Sequence, residues 1–146
     1  MKTEDYLSMV GKLNMLVNNK LEEKEELFTL ATKTTQEISD MPHASGVSDK
    51  VGNLAVKLAS KEEDIDHAID VYIDLKHEII SQIEKLPKDE YDVLYRRYVV
   101  GQGLFDVAEK RDQSVSWIQK LTWRGLKKIK VIESDVYREA CKMLGV

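Results

Sequence analysis

Apolar residues recur at mostly three- and four-residue spacings over the first third of the chain: Tyr6, Met9, Val10, Leu13, Leu16, Val17, Leu21, Leu27, Phe28, Ala31 and Ile38. That spacing puts them on one face of an amphipathic helix over residues 3 to 38, with Lys, Glu and Asn on the other face. A second stretch, residues 49 to 86, repeats the pattern with Val51, Leu54, Ala55, Leu58, Ile65, Ala68, Ile69, Tyr72, Ile73, Leu75, Ile79, Ile80, Ile83 and Leu86. At about 1.5 Å per residue each helix is on the order of 50 Å long. Neither can bury its stripe alone. The connector SDMPHASGVS carries Pro42 and Gly46, and Ser48 is the expected N-cap of the second helix. Two solutions are open, folding back as an antiparallel hairpin or dimerising through the same stripes.

The last sixty residues break into shorter units. Pro87 suits the first turn of a helix running to Val100, Asp89 and Glu90 favour its positive end, and Val93, Leu94 and Tyr98 turn inward. After Gly101, Gln102 and Gly103 a short helix is expected from Leu104 to Arg111, with Val107 and the small Ala108 as its buried pair. Asp112, Gln113 and Ser114 form a turn, and Ser114 caps the next helix. With about 100° per residue and Ile118 as the inner direction, Leu121, Gly125 and Ile129 fall in one narrow sector, and Leu126 at its margin. Ser116, Gln119, Lys120, Trp123, Lys127 and Lys130 fall opposite. A final helix over 134 to 144, capped by Ser134, sets Val136, Ala140 and Leu144 on one side. The expected fold is all-α, a long coiled-coil-like hairpin over 1 to 86 and a helix-turn-helix domain over 87 to 146.

Charge sharpens the division. Residues 1 to 86 hold 10 Lys and Arg against 17 Asp and Glu, a net of −7, whereas residues 87 to 146 hold 12 against 9, a net of +3. Between residues 114 and 130 the cations Lys120, Arg124, Lys127, Lys128 and Lys130 meet no acid. A basic helix with exposed polar side chains points to double-stranded DNA: Lys and Arg neutralise phosphates while Ser116, Gln119 and Lys120 reach base edges. Trp117 and Trp123 either stack on sugars and thymine methyls or pack against the N-terminal helices. Contacts from four or five cations imply that log affinity falls with log salt at a slope of roughly −4.

Other chemistry finds little support. Glu62, Glu63, Asp64, Asp66, Asp70 and Asp74 read as a solvated helix face, and His43, His67 and His77 complete no ligand set. No nucleophile-base pair or phosphate-binding glycine loop stands out, so neither an enzyme nor a cofactor or metal is expected. The polar start MKTEDYLSMV is unlike a signal peptide, no apolar run has bilayer length, and one cysteine, Cys141, fits a reducing cytoplasm, so a cytoplasmic location is expected.

The segments LPKDEYDVLYRRYVVGQG and LFDVAEKRDQSVSWIQKLTWRGLKKI together resemble the region 4 domain of bacterial sigma factors over about 44 residues. The whole chain is similar to phage-encoded late-gene transcription regulators of Gram-positive hosts, the ArpU and RinA groups. In these a long helical part precedes a sigma-like reader, and Ser-Asp-Met-Pro and Ser-Asp-Lys patterns like those of the connector occur. The resemblance implies a sequence-specific regulator that engages host RNA polymerase. It makes Val115, Ser116, Gln119 and Lys120 base readers and sets Arg124 and Lys127 nearer the backbone. Ser114, Trp117, Trp123 and Lys128 complete the candidate surface. Three positions depart from the sigma pattern: Gly103 where a hydroxyl usually caps, Arg111 where an apolar residue closes the helix, and Asp112 where a turn glycine is common. The target implied is therefore a dedicated phage site rather than a standard promoter element. The competing class is an assembly protein, either small-terminase-like or a coiled-coil adaptor.

Overall fold

The computed structural model describes the backbone of residues 1–40 and 45–146 and the side chains of 1–33 and 52–146. Every element in it is helical: α1 (Thr3–Asp40), α2 (Ser45–Ile83), α3 (Lys88–Leu94), a π-helical segment (Tyr95–Val100), α4 (Leu104–Arg111), α5 (Val115–Lys128) and α6 (Asp135–Leu144). The chain is all-α, and among the described residues no helix is long and apolar enough to cross a membrane. Pro42 and His43 lie outside the described residues. The expected cap at Ser48 is corrected, because α2 begins three residues earlier, at Ser45.

Contacts divide the chain elsewhere than at residue 86. One unit comprises Met1–Asn14 with Val71–Val146, and the other Met15–Asp70. The first shows why the last sixty residues do not stand alone. Tyr6, Leu7, Met9, Val10 and Leu13 of α1 are buried, as are Val71, Leu75, Ile79 and Ile83 of α2. Small domains bury too little surface unaided, and these side chains enlarge the core. Tyr6 meets Tyr137 of α6 edge to face at 5.8 Å, and Gln82 Nε2 donates to the Tyr6 hydroxyl at 3.3 Å. Burial, together with nearby Glu78, raises the Tyr6 pKa above the ordinary phenol value. On α6, Ser134 caps as its position requires, accepting from the Tyr137 amide at 3.1 Å.

In the second unit α1 and α2 are linked by ion pairs between Lys20 and Asp64 (3.3 Å), Lys24 and Glu62 (3.4 Å), and Lys61 and Glu23. These pairs sit in solvent, where screening and side-chain entropy leave them little net stabilisation. Among its described residues only Val17, Ile65 and Ala68 are buried apolar side chains, while Leu21, Phe28, Leu30 and Val56 are exposed.

Around α5 the expectations hold closely. Val93 of α3, Val107 and Ala108 of α4, and Ile118 and Leu121 of α5 form one buried cluster, with Leu104, Val115 and Trp117 packed against it. The helix expected from residue 87 to 100 instead changes at Tyr95 from α to the wider π form. It ends at Gly101, whose φ of 88° terminates it in the left-handed region. Apolar spacing over six residues does not distinguish these two repeats.

Asp112 takes the left-handed conformation (φ 52°, ψ 47°) that ends α4. Its amide donates to Glu109 O (3.1 Å) and that of Gln113 to Ala108 O (3.0 Å), the paired bonds of a Schellman turn. A side chain there carries a steric penalty that glycine lacks, so Asp112→Gly is expected to stabilise the protein by about 0.5–1 kcal/mol. Urea unfolding followed by circular dichroism measures it.

Candidate nucleic-acid interface

α5 begins where Ser114 Oγ accepts from the Trp117 amide at 3.2 Å, satisfying one of the first-turn donors left without an intrahelical partner. Its inner seam is buried: Ile118, Leu121, Thr122 and Gly125, followed by Ile129 at the C-cap. A Cβ on Gly125 would lie 2.7 Å from Leu94 Cδ1, so glycine here permits the close approach of α3 and α5. The outer side presents Ser116, Gln119, Lys120, Trp123, Arg124 and Lys127, all exposed.

The two tryptophans differ. Trp117 is half-buried against the core, with the Arg124 guanidinium 5.5 Å from its ring centroid. Trp123 is 59% exposed, and Lys127 Nζ lies 3.2 Å from its centroid. A cation-π contact of this kind orients the cation over the ring and brings no opposite charge to cancel its own. Val115 is half-buried against the same core as Trp117 and so has less surface to offer than the outer residues.

Lys128 is exposed, but its charge is already engaged. Its Nζ donates to both oxygens of Glu90, at 2.8 and 3.0 Å, and Glu90 is a buried carboxylate of α3. Glu90 was expected merely to favour the helix N-terminus, but it shares a face with Val93 and Leu94 at the i, i+3, i+4 spacing. Lys128→Ala therefore leaves an unpaired buried acid, and the expected loss of stability is about 1–3 kcal/mol. Glu90→Gln, which removes the charge with the partner, should cost less. Thermal denaturation of the two variants gives the comparison.

Arg111, the departure at the end of α4, bridges to α3. Its guanidinium meets Asp92 and donates to Asp89 Oδ1 at 3.0 Å, while Nε donates to Gln113 Oε1 at 2.9 Å. Asp92 also accepts from Arg96 Nε at 3.1 Å. Burial pushes the Asp92 carboxyl upward, but hydrogen bonds from Arg111 and Arg96 outweigh it and leave the pKa below its ordinary 3.8. A depressed folded-state pKa contributes stability that is present above the unfolded value and is lost as pH falls through the folded one. Stability should thus decline below about pH 4, and Asp92→Asn should flatten that part of the curve. Melting temperature against pH from 2 to 6 (roughly the carboxylate range) checks it.

Thr122 joins this region without having been expected. Thr122 lies only about 40° from Ile118 on the helix, so the same angular spacing that picked out Leu121 and Gly125 was the signal for it. It donates to Ile118 O at 2.8 Å and accepts from Arg97 Nη1 at 3.1 Å, tying the π-helical segment to α5. Gly103, extended at φ −72°, stands before α4 with no capping side chain. Among the described residues no group of His, Cys, Asp and Glu is placed to hold a metal ion. No family model matches the chain, and neither does any curated protein or solved structure.

Proposed function

We propose that the protein is a sequence-specific DNA-binding transcription regulator. In this reading α4, the Asp112–Ser114 turn and α5 are a helix-turn-helix, α5 enters the major groove, and α1 and α2 form a long antiparallel hairpin. One observation carries it: α5 has a fully buried seam and, opposite, an exposed face of Ser116, Gln119, Lys120, Trp123, Arg124 and Lys127. A helix that served only packing has little reason to expose tryptophan beside lysine. Gln119 and Lys120 are the base readers, with Ser116 beside them; Arg124 and Lys127 meet phosphates. The resemblance to sigma region 4 and to phage late-gene regulators supports the narrower reading, control of phage or prophage genes together with host RNA polymerase.

Salt-dependent binding tests it. With Arg124 and Lys127 on phosphates, log affinity for duplex DNA falls against log salt at a slope of about −2. A flat response overturns the proposal.

A second reading, an assembly or adaptor protein, is favoured by the exposed Leu21, Phe28, Leu30 and Val56 in the unit Met15–Asp70. Of these, Leu21 and Phe28 stand seven residues apart and share a face of α1, and exposed apolar side chains on one face mark association surfaces. Light scattering separates the two: a large ring or higher oligomer that binds no duplex favours the second.

A further inference from the structure

Beside the C-terminal end of α5 lies a cleft of about 360 Å³ lined by Gln82, Lys85, Leu86, Lys128, Lys130 and Ile132. Three of its six residues are lysines. Lys128 is matched by Glu90, so its charge is already balanced by a buried carboxylate. Lys85 and Lys130 are both exposed, and neither is ion-paired among the described residues. The cleft is a fixed feature, because the Lys130 amide donates to Gln82 Oε1 at 3.1 Å and so holds the chain leaving α5 against the end of α2. Leu86 is half-buried and Ile132 is 48% exposed, an apolar side chain with no role in the core. Two unmatched cations beside an apolar wall suit a group that is anionic on one side and hydrocarbon on the other. A deoxyribose phosphate has that character.

The length of α5 indicates the source. Its 14 residues extend about 21 Å, whereas the major groove is only about 12 Å wide. A helix that enters the groove by its first turns and crosses it, rather than following it, brings its last turn over the flanking backbone.

We infer that this cleft binds a backbone phosphodiester of duplex DNA beside the groove occupied by α5, with Lys85 and Lys130 on the phosphate and Leu86 and Ile132 against the sugar. The inference rests on the reading of α5 as a groove-entering helix, and it extends the interface to α2 and to the segment after α5, neither of which belongs to the helix-turn-helix. With four cations in place of two, the salt slope steepens to about −3.5.

The test uses the full chain and a duplex carrying its preferred site, in equilibrium titrations over a range of salt. Lys85→Gln with Lys130→Gln should reduce the steepness of the slope by about 2. It should weaken all duplexes alike, keep the sequence preference, and leave the circular dichroism melt unchanged. A slope equal to that of the wild type overturns the inference. Lys120→Ala in parallel distinguishes the two claims: if it relaxes sequence preference while the cleft variant changes nothing, the cleft fails and α5 stands. If the cleft variant lowers the slope and Lys120→Ala alters neither preference nor slope, α5 fails as a reader. Inorganic phosphate supplies the last arm. Should it perturb the Lys85 and Lys130 resonances in NMR spectra while duplex leaves them unmoved, the cleft holds a small anion and the DNA assignment falls.

Discussion

Ile118→Ala is expected to lower the unfolding free energy by about 2–5 kcal/mol, a large part of the stability of a small domain. Ile118 is fully buried and belongs to the cluster in which Val93 of α3, Val107 and Ala108 of α4, and Leu121 of α5 meet. Alanine removes three carbons from a site bounded by three helices, which can close over the cavity only by shifting together. The transfer term and the cavity term therefore both count. Trp123→Ala supplies the contrast, since a side chain exposed to 59% has little packing to lose and should change stability by no more than about 0.5 kcal/mol. Denaturant unfolding with both variants decides: equal losses contradict the division of α5 into a buried seam and a free face.

The second large effect concerns recognition. Gln and Lys read bases in characteristic ways, Gln by a bidentate pair to adenine N6 and N7 and Lys by donation to guanine O6 and N7. Gln119→Ala should therefore remove about 1–3 kcal/mol of discrimination at one adenine, a roughly 5- to 150-fold change, and Lys120→Ala a comparable amount at one guanine. Both residues are exposed and outside the core, so neither change should disturb folding. Lys127→Ala should act differently, weakening every duplex alike and lowering the salt slope by about 1. Competition titrations against single-base variants of the preferred site measure all three. Equal, sequence-independent losses would contradict the separation of readers from anchors.

The periodicity of α5 was legible because its inner and outer residues differ in kind. Ile118, Leu121, Gly125 and Ile129 are buried, and Ser116, Gln119, Lys120, Trp123 and Lys127 are exposed, as the angular spacing requires. The caps at Ser114 and Ser134 and the left-handed turn at Asp112 were equally legible, being set by local backbone chemistry. What escaped depends on partners far along the chain. Nothing near Lys128 in sequence reveals Glu90 across the α3–α5 contact, and nothing near Arg111 reveals Asp89 and Asp92. The unit boundary escaped for the same reason: an amphipathic stripe states which face is buried, but not that Tyr6 lies against Tyr137 while Phe28, on the same helix, remains exposed. Lys85 and Lys130 are ordinary surface lysines until the end of α2 and the chain after α5 bring them to one cleft.

The central claim is that the outer face of α5 reads DNA sequence. Selection from a random duplex library, carried out with the wild type and with Gln119→Ala plus Lys120→Ala, tests it most directly. The wild type should enrich one motif containing a required adenine and a required guanine, and the double variant, folded as judged by its melt, should lose the requirement at both. Enrichment of no motif by the wild type, or of the same motif by both proteins, would contradict the account.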